Sequence, residues 1–480
     1  MAIANIVSVS SMEPEQLASN AGKECYESES PAIDAEKIDV KKRLVDTGHH
    51  TTLEHFSMTY ALEDISVSTI TYGLHLNHPF YNSDQRSGRF SKMYENPNVV
   101  EITQRMQRYY AEKNSEPTLD LEDSLQKINQ YYPNEDIDKA KELIEFGIDV
   151  FQGEKESLMD IAADTLKKER KYVTDEYIER NANKMAQEQL RVFIPMVATT
   201  GMYHTIDSVT LASLWRVAWT PEMRDVVGQM KDAFVKLYPS QECLFDPRFA
   251  SKSDLHFCAD TKSVQLLDGE VTFDPELEIL SIDIPQEYSI RTAKPKDSFD
   301  LLPFHPLNMN NRMYNIRTRV QCSSMTMGQD QRHRTIDRGT PTITGDFYLP
   351  PLLDKVELMK KYAEEFRQMF VDLMRTNPKL ANFIVPYGMM AQYEKRANLN
   401  ALIHEQEKRQ CWCAQEEIYN MNRQMIEQLY NLGRQDLVDL FRPHCAKGGC
   451  LEGPRYCGRD INVWNKDTYG VLGGFKQRQI

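Results

Sequence analysis

The spacing of hydrophobic and polar positions changes along the chain and indicates which segments are strands and which are helices. In residues 1–100, apolar runs such as IANIVSVS and HFSMTYALEDISVSTITYG alternate with polar turns, which is typical of strands joined to helices. From about 104 to 190, apolar side chains recur every three or four residues, which predicts helices. We also predict a helix in the apolar stretch LRVFIPMVATTGMYHTIDSVTLASLWRVAW. The pattern as a whole predicts an α+β fold.

The same order of patterns occurs a second time after a break. The break covers about 239–300, where PSQECLFDPRFASKSD is rich in turn residues and VTFDPELEILSIDIPQEYSI is strand-like. Long helical patterns then follow from about 351 to 440. We therefore predict an internal duplication of domains. The predicted boundaries are 1–240 for the first domain, with a helical insertion at about 104–180, 241–440 for the second domain, and 441–480 for a Cys-rich C-terminal tail.

Composition is that of an ordinary globular protein. Of 480 residues, 41% are hydrophobic and 27% are charged, which is enough for more than one core. The net charge of −14 argues against a general binder of nucleic acid or of membrane surfaces, because these need a broad positive field. No run reaches the roughly 18 to 20 apolar residues of a membrane span, and the first residues lack a basic region followed by an apolar one. The expected location is the cytoplasm.

Two polar motifs of the first half are candidates for binding. GHHTTLEH contains four possible metal ligands, His49, His50, Glu54 and His55. Their spacing differs from the HExxH arrangement, and a polar turn before a strand is the alternative. Further along, Ser87, Gly88 and Arg89 suit an anion, because they combine a hydroxyl, a backbone open to close approach and a guanidinium. A solvated turn would show the same three residues.

Two motifs of the second half also carry polar chemistry. QDQRHRTIDRG places Arg332, His333 and Arg334 side by side, so that guanidinium forks for phosphate or carbonyl oxygens flank a titratable imidazole. A surface run of charges is the alternative. In NLNALIHEQEKRQCWCAQEEI, helical spacing places Asn398, Leu402 and Glu405 along one side, and Arg409 lies one turn beyond them. An exposed amphipathic helix would explain that pattern as well.

The cysteines are concentrated near the C-terminal end. Five of the nine lie within the last 70 residues: Cys411, Cys413, Cys445, Cys450 and Cys457. In a reducing compartment, such a cluster indicates metal or redox chemistry before disulfides. We predict that at least three of them hold Zn²⁺ or an iron–sulfur cluster, with free thiols in a loose tail as the alternative.

Taken in order, these motifs resemble those of the flavin-dependent thymidylate synthases, the ThyX family, and they do so twice. GHHTTLEH is similar to the family's GHxTPxEH, SGRFSK to its SGRYSK substrate loop, and LRVFIPMVATTGMYHTIDSVTL to its ARxxLPxxxxTxxxxTxNxRSL helix. In the second half, QDQRHRT is similar to the QxxRHRx signature, and residues 385–418 resemble the long helix again, up to an AQxEI ending. The resemblance implies two ThyX-like α/β domains in tandem, each with a mixed sheet and long helices.

The two halves depart from the family pattern at largely complementary positions. The first half lacks the RHR arginines and two later ones, at Asn77, Pro79, Val209 and Ala218. The second half lacks the SGR loop and two arginines, at Asn382 and Asn400. Family active sites lie between the subunits of a homotetramer. The resemblance therefore implies a fused pseudo-dimer in which each half keeps one side of a shared site, and a homodimer of such chains.

The resemblance also implies a reaction and a role for each retained residue. The family transfers a methylene group from methylenetetrahydrofolate to C5 of dUMP, using reduced FAD, with NADPH as the usual reductant. The implied catalytic residues are Arg409 and His49. The implied substrate-binding residues are Ser87, Gly88, Arg89, Arg191 and Gln329. The implied cofactor-binding residues are Arg332, His333, Arg334, Asn398, Thr51 and Glu54.

The losses at Val209 and Asn400, and the cysteines next to Arg409, leave alternatives open. One is flavin-dependent modification of another pyrimidine nucleotide. A second is a protein that binds flavin or nucleotide without synthase activity. A third is a structural or regulatory paralogue in which the Cys-rich tail is the working part.

Overall fold

The computed structural model describes residues 2–26, 35–76, 81–85, 121–170, 173–251, 269–286, 305–447, 450, 452, 456–457 and 477–480. The chain divides into two compact units that are interleaved in sequence. Unit 1 comprises Met1–Lys141, Met196–Ala259 and Asn377–Ile384. Unit 2 comprises Glu142–Pro195, Asp260–Thr376 and Val385–Ile480.

The described residues form strands, α-helices and short 3₁₀ and π-helical turns. The strands are β1 (Ile3–Val9), β2 (Ser57–Ser66), β3 (Asn82–Gln85), β4 (Thr199–Asp207), β5 (Val271–Thr272), β6 (Glu276–Asp283), β7 (Asn315–Ser323), β8 (Asp337–Arg338), β9 (Thr342–Tyr348) and β10 (Met389–Asn398). The α-helices are α1 (Pro14–Tyr26), α2 (Val67–Thr69), α3 (Leu121–Tyr131), α4 (Asp138–Gly153), α5 (Lys155–Glu169), α6 (Asp175–Leu190), α7 (Ser208–Val217), α8 (Pro221–Leu237), α9 (Ser324–Asp330), α10 (Glu357–Thr376), α11 (Pro378–Phe383), α12 (Leu399–Arg409), α13 (Glu416–Asn431), α14 (Gln435–Leu440) and α15 (His444–Lys447). Short 3₁₀ segments are His50–His55, Arg191–Phe193, Pro239–Leu244, Pro247–Phe249, Pro306–Met313 and Leu353–Lys355, and π-helical turns are Lys41–Val45 and Ile70–Leu74.

Unit 1 is built on an antiparallel sheet of order β1-β2-β4-β3. Helix α8 covers this sheet with apolar side chains spaced by three or four residues, of which Met223, Met230 and Phe234 are fully buried. These side chains share one core with Phe56 and Tyr60 of the sheet region. The helical period in the sequence therefore marks the face of α8 that packs on the sheet.

Unit 2 contains a mixed sheet of order β5-β9-β10-β7-β6, and β8 pairs with the end of β10. Strands β5 and β9 are parallel, and the remaining pairs are antiparallel. The rings of Phe193, Phe347 and Phe366 pack together with centroids 5.6 to 6.0 Å apart. A Cβ atom at Gly147 would lie 2.2 Å from the carbonyl oxygen of Phe193, so a glycine is required for α4 to approach this core.

The two units repeat the same local construction. In unit 1, β2 leads into α2 through the N-cap Ser66, and in unit 2, β7 leads into α9 through the N-cap Ser323. The first residue of β2, Ser57, pairs with Asp207, and the first residue of β7, Asn315, pairs with Asn398. Asp207 and Asn398 are in turn the N-caps of α7 and α12. The predictions of an α+β fold and of an internal repeat are therefore confirmed.

The predicted helices over 190–219 and 385–418 are partly wrong. Residues 199–207 form strand β4 and residues 389–398 form strand β10, each hydrogen-bonded to a neighbouring strand on both sides. Both strands contain polar residues and lead directly into helices α7 and α12, so the helical period of the following segment dominates each longer stretch. Within the two stretches, α7, α12 and the adjoining ends of α6 and α13 are helical, and Arg191–Phe193 is a 3₁₀ turn.

The predicted helical insertion coincides with α3 to α6, within the residues that the structure describes. These helices are divided between the units after Lys141. Among the described residues, no helix is both long enough and apolar enough to cross a lipid bilayer.

Candidate active site

The RHR motif lies in a tight turn between α9 and β8 of unit 2. Arg332 is exposed, Arg334 is half-buried and His333 is buried with 8% of its surface exposed. The turn begins with hydrogen bonds from the N–H groups of Arg332 and His333 to the carbonyl oxygens of Gln329 and Asp330, at 3.3 and 3.1 Å. Burial of the central imidazole is incompatible with the alternative of a solvated surface run.

A buried ionic network lies under this turn. The carboxylate of Asp330 is fully buried and accepts hydrogen bonds from Arg338 Nε at 2.6 Å, Lys395 Nζ at 2.7 Å and the Tyr393 hydroxyl at 3.0 Å. Lys395 also contacts Glu405 Oε1 at 2.7 Å. Burial opposes ionisation of Asp330, but Arg338 and Lys395 outweigh it and hold the pKa of this carboxyl well below its usual value.

Arg338 connects this network to the backbone of the turn. Its Nη1 donates to the carbonyl oxygens of His333 and Ile336, both at 3.0 Å, and its Nη2 donates to the carbonyl oxygen of Asp330. One guanidinium therefore satisfies three carbonyl groups around the RHR motif while it pairs with Asp330. Such use of several donors in a fixed plane is available to arginine and not to lysine.

His333 is neutral at ordinary pH. Its ring packs edge-on against His404, with centroids 5.4 Å apart. Burial lowers the pKa of His333 well below its usual value, and the positive charge of Arg409 lowers it further. Burial also lowers the pKa of His404. A neutral imidazole can both donate and accept a hydrogen bond, which suits orientation of a ligand.

Helix α12 carries two of the predicted site residues at its ends. At the start, the side-chain oxygen of Asn398 accepts a hydrogen bond from the N–H of Ala401 at 2.9 Å and caps the helix. At the end, Arg409 Nη2 donates to the carbonyl oxygen of Gln329 at 2.6 Å. Most of the helix is buried, including Leu402 and Glu405, so the alternative of an exposed amphipathic helix is wrong.

A chain of contacts joins Arg409 to Arg191. The Gln329 side chain donates to the side-chain oxygen of Gln415, and the amide nitrogen of Gln415 lies 3.6 Å from the sulfur of Met325. The Nε of buried Arg191 lies 2.7 Å from the same sulfur. Arg191 belongs to unit 2 although it lies in the first half of the sequence. The fold therefore brings it together with the RHR motif and Arg409.

Two buried carboxyl groups lie at the start of α13. Glu417 accepts hydrogen bonds from the N–H of Ser323 at 2.6 Å and the hydroxyl of Thr326 at 2.6 Å. Burial raises the pKa of Glu417. Burial, together with the nearby charges of Glu188 and Glu417, raises the pKa of Glu416 to about 8.

Other predicted residues lie elsewhere or outside the described ranges. His49, Thr51 and Glu54 are exposed in unit 1, where His50–His55 forms a 3₁₀ turn before β2, as the polar-turn alternative expects. Ser87, Gly88 and Arg89, predicted to bind the substrate, lie outside the described residues. The roles assigned to all of these residues stay predictions.

The C-terminal cysteines line one small cavity of unit 2: Cys411, Cys413, Cys445, Cys450 and Cys457. Within the ranges that the structure describes, no three His, Cys, Asp or Glu side chains are arranged to hold a metal ion. The predicted zinc or iron–sulfur centre is therefore not supported. Hydrogen bonding with the sulfurs of Cys411 and Cys457, together with burial, raises the pKa of the Cys413 thiol.

Sequence motifs did not identify the ionic network under the turn. Asp330 stands inside the QDQRHR motif, but Lys395 and Glu405 follow it by 65 and 75 positions. Strand β10, MMAQYEKRAN, carries several polar residues, so its sequence does not single out Lys395, which is only 3% exposed. A buried charge usually has a buried partner of opposite sign.

Together, these features define an α+β protein with repeated units, whose second unit holds a polar site rich in arginine. The family model described as "Thymidylate synthase complementing protein" matches residues 8–240 and 312–432, which is most of the chain in two segments. The chain belongs to this family. The predicted family and enzyme class, a flavin-dependent methyltransferase, are thereby confirmed.

The chain is also similar to individual proteins. The chain is 25% identical over 239 residues to a flavin-dependent thymidylate synthase of Clostridium tetani, covering 47% of this chain and 80% of that protein. A UMP/dUMP methylase, PolB from Streptomyces cacaoi, bound with 5-Br dUMP, has a TM-score of 0.33 at 14% identity, covering 52% of this chain and 96% of that one. ThyX from Helicobacter pylori with FAD and dUMP has a TM-score of 0.29 at 13% identity, covering 52% and 98%.

Proposed function

We propose that the chain methylates dUMP at C5, with methylenetetrahydrofolate as the one-carbon donor, FAD as the redox cofactor and NADPH as the reductant. The proposal depends on the hydrogen bond from Arg409 to the carbonyl oxygen of Gln329, because this bond fixes a guanidinium beside the RHR turn. Family membership and the flavin-dependent relative support the reaction class. We further propose that the chain acts in the cytoplasm as a homodimer.

The proposed role of Arg409 is electrostatic. Making C5 of a uracil ring nucleophilic places negative charge on a ring carbonyl oxygen. A guanidinium that is already held in position stabilises that charge without further reorganisation. Arg191, together with Ser87, Gly88 and Arg89, is proposed to hold the nucleotide phosphate through charge-assisted hydrogen bonds. Gln329 would orient the pyrimidine from the position at which it already contacts Arg409.

The residues around the RHR turn fit a flavin dinucleotide. Arg332 is exposed and Arg334 half-buried, so their donors can meet the oxygens of a diphosphate, and neutral His333 can donate or accept. The side-chain oxygen of Asn398 caps helix α12, and the nitrogen of the same amide group can donate hydrogen bonds to a ligand. Bound FAD would supply the electrons that complete the methyl group. For His49, Thr51 and Glu54, the proposal rests on the sequence motif alone.

Release of tritium from dUMP labelled at C5 tests the reaction. We expect release that requires both methylenetetrahydrofolate and a reduced flavin, in a protein that is yellow as purified. A yellow protein that binds dUMP but releases no tritium would instead be a binding paralogue. A colourless protein without release would contradict both the flavin and the reaction.

One observation favours a second substrate, another pyrimidine nucleotide. At two positions where the family has arginine, this chain has residues that support the fold. Asn400 is buried, and its side-chain nitrogen donates to the carbonyl oxygen of Asn308 at 2.9 Å. Val209 packs on the core of unit 1. Loss of these cations changes the polar groups available to a nucleotide. Competition of UMP against dUMP in the tritium assay separates the two substrates.

A further inference from the structure

The C-terminal thiols have no role in the proposed reaction, yet the fold collects them around one cavity. The lining includes the link between α12 and α13, residues 410–415, and the segment that follows α14. The seven cysteines whose side chains the structure describes are thiols and not disulfides. A cluster of several thiols around one cavity differs from isolated buried cysteines, which are usually inert.

Both ends of the 410–415 link are tied to Gln329. Arg409, just before the link, donates to the Gln329 carbonyl oxygen at 2.6 Å, and Gln415, its last residue, accepts from the Gln329 side chain. The middle of the link is held by two arginines, through Arg170 Nη2 to the Trp412 carbonyl oxygen at 3.1 Å and Arg478 Nη1 to the Ala414 carbonyl oxygen at 3.0 Å. A covalent change within this short, tethered link therefore acts on Gln329.

Two of the thiols lie inside the link and already contact each other. The backbone N–H of Cys413 lies 3.5 Å from the sulfur of Cys411, and both residues line the same cavity. Hydrogen bonds directed at a sulfur favour its nucleophilic form. Cys411 is thus arranged as the attacking sulfur, with Cys413 as its neighbour.

We propose that Cys411 and Cys413 are a thiol-oxidation site that forms a reversible disulfide and thereby changes nucleotide binding at Gln329 and Arg409. The oxidant is a hydroperoxide. The Cys411 sulfur attacks one peroxide oxygen, the O–O bond breaks and one water leaves, which gives a sulfenic acid. The Cys413 sulfur then attacks that sulfur, the S–O bond breaks and a second water leaves with the Cys413 proton. Two thiols lose two electrons and two protons, and hydrogen peroxide becomes two waters; a dithiol reductant reverses the change.

The disulfide itself is independent of the reaction proposed above, whereas its effect on nucleotide binding rests on that proposal. Redox control of this kind needs a local bond change that biases an element shared with the site. The 410–415 link is such an element, since Arg409 and Gln415 flank the two thiols.

The test uses the full chain, first reduced and then treated with one equivalent of hydrogen peroxide. Peptide mass spectrometry after alkylation is expected to show a Cys411–Cys413 disulfide in the wild type and in Cys243→Ser, none in Cys411→Ser, and full reversal by a dithiol. Cys243 is the matched control because it is a half-buried thiol of unit 1 packed on the core. Oxidation is expected to change dUMP affinity by about fivefold or more, the lower end of allosteric coupling, in the wild type but not in Cys411→Ser.

The oxidation site, its coupling to nucleotide binding and the proposed function are each contradicted by a different result. Thiols that stay reduced, a disulfide with another partner, or stoichiometric zinc or iron that protects the thiols until it is chelated would each refute the oxidation site. A Cys411–Cys413 disulfide with unchanged dUMP affinity would refute the coupling. Failure of the reduced chain to bind dUMP would refute the proposed function and leave the disulfide result standing.

Discussion

Arg338 Nε lies 2.6 Å from the Asp330 carboxylate, and this ion pair holds the RHR turn from below. Asp330 closes the last turn of α9, and Arg338 belongs to β8, so the pair joins the two ends of the segment that carries Arg332, His333 and Arg334. Both partners are buried, with 0% and 11% of their side chains exposed. The turn is therefore fixed by an internal electrostatic clamp.

Replacing Asp330 by Ala should strongly destabilise unit 2. Arg338 and Lys395 would remain buried without this carboxylate, and removal of one partner of a buried pair costs about 3–5 kcal/mol. Urea unfolding measures the loss. The matched control is Glu278→Ala, which removes a carboxylate paired with Arg319 at 2.9 Å, both exposed at 62% and 43%, for which about 1 kcal/mol or less is expected. Equal losses in both variants would contradict the clamp.

Arg338→Lys separates charge from geometry. Lysine retains the charge near Asp330 but cannot also reach the carbonyl oxygens of His333 and Ile336, so the turn should loosen. We expect FAD to bind roughly tenfold more weakly, equivalent to one charged hydrogen bond. Fluorescence titration with FAD provides the measurement. Arg434→Lys, at an arginine that also pairs with a carboxylate and donates to a backbone carbonyl, should leave flavin affinity unchanged.

Arg409→Ala should abolish most of the tritium release. Loss of one preorganised donor at a developing oxyanion reduces kcat by about 10²- to 10³-fold. The adjacent Lys408→Ala is the control, because the Lys408 side chain is 42% exposed and its ammonium lies 3.5 Å from the Glu452 carboxylate. Full activity in Arg409→Ala, with normal dUMP affinity, would exclude this arginine as the group that activates the pyrimidine.

Local motifs predicted the parts of this site that lie close together in sequence. The candidates of the RHR motif, Asn398 and Arg409 each came from a short motif, and the structure places them on one turn and at the two ends of α12. Strands β4 and β10 were predicted as helix because each is short and leads directly into a true helix, α7 or α12. In β4, buried Met202 and His204 flank Tyr203, which is 42% exposed, so a period of two is present but covers only a few residues.

Tertiary pairing accounts for what remained unpredicted. Lys395 opposes Arg338 in the β8–β10 register, and Asp330 neutralises both cations from the end of α9. Nothing within a window of ten or twenty residues marks these partners, because sheet register sets their distance. The membership of Arg191 in unit 2 has the same origin, since residues 142–195 pack with the second unit although they precede it in the chain.

The repeated strand-to-helix junctions predict unequal responses to the same substitution. In unit 1, Glu222 accepts from the N–H of Ser66 at 3.2 Å and pairs with buried Lys127 at 2.7 Å. In unit 2, Glu417 accepts from the N–H of Ser323 at 2.6 Å. Glu222→Gln should cost about 3–5 kcal/mol, because it leaves a buried ammonium without its carboxylate.

Glu417→Gln should cost less, about 1 kcal/mol, because an amide oxygen can still accept and burial already favours the neutral acid. Urea unfolding of the two variants gives the comparison. A loss at Glu417 equal to that at Glu222 would mean that its ionised form is needed. Similar small losses at both positions would instead show that Lys127 is stabilised without Glu222.

The raised pKa of Glu416 predicts that the folded protein loses stability as pH rises. Its pKa is raised from 4.5 to about 8 by burial and by the charges of Glu188 and Glu417, so the folded protein binds a proton that the unfolded chain has released between these values. Stability therefore declines from about pH 4.5 and continues to fall until pH passes about 8. Glu416→Gln, which cannot ionise, should flatten this part of the Tm–pH curve and raise Tm at pH 8. Glu357→Gln, at a carboxylate 94% exposed, should leave the wild-type slope in place; the same slope in Glu416→Gln would assign the titration to another group.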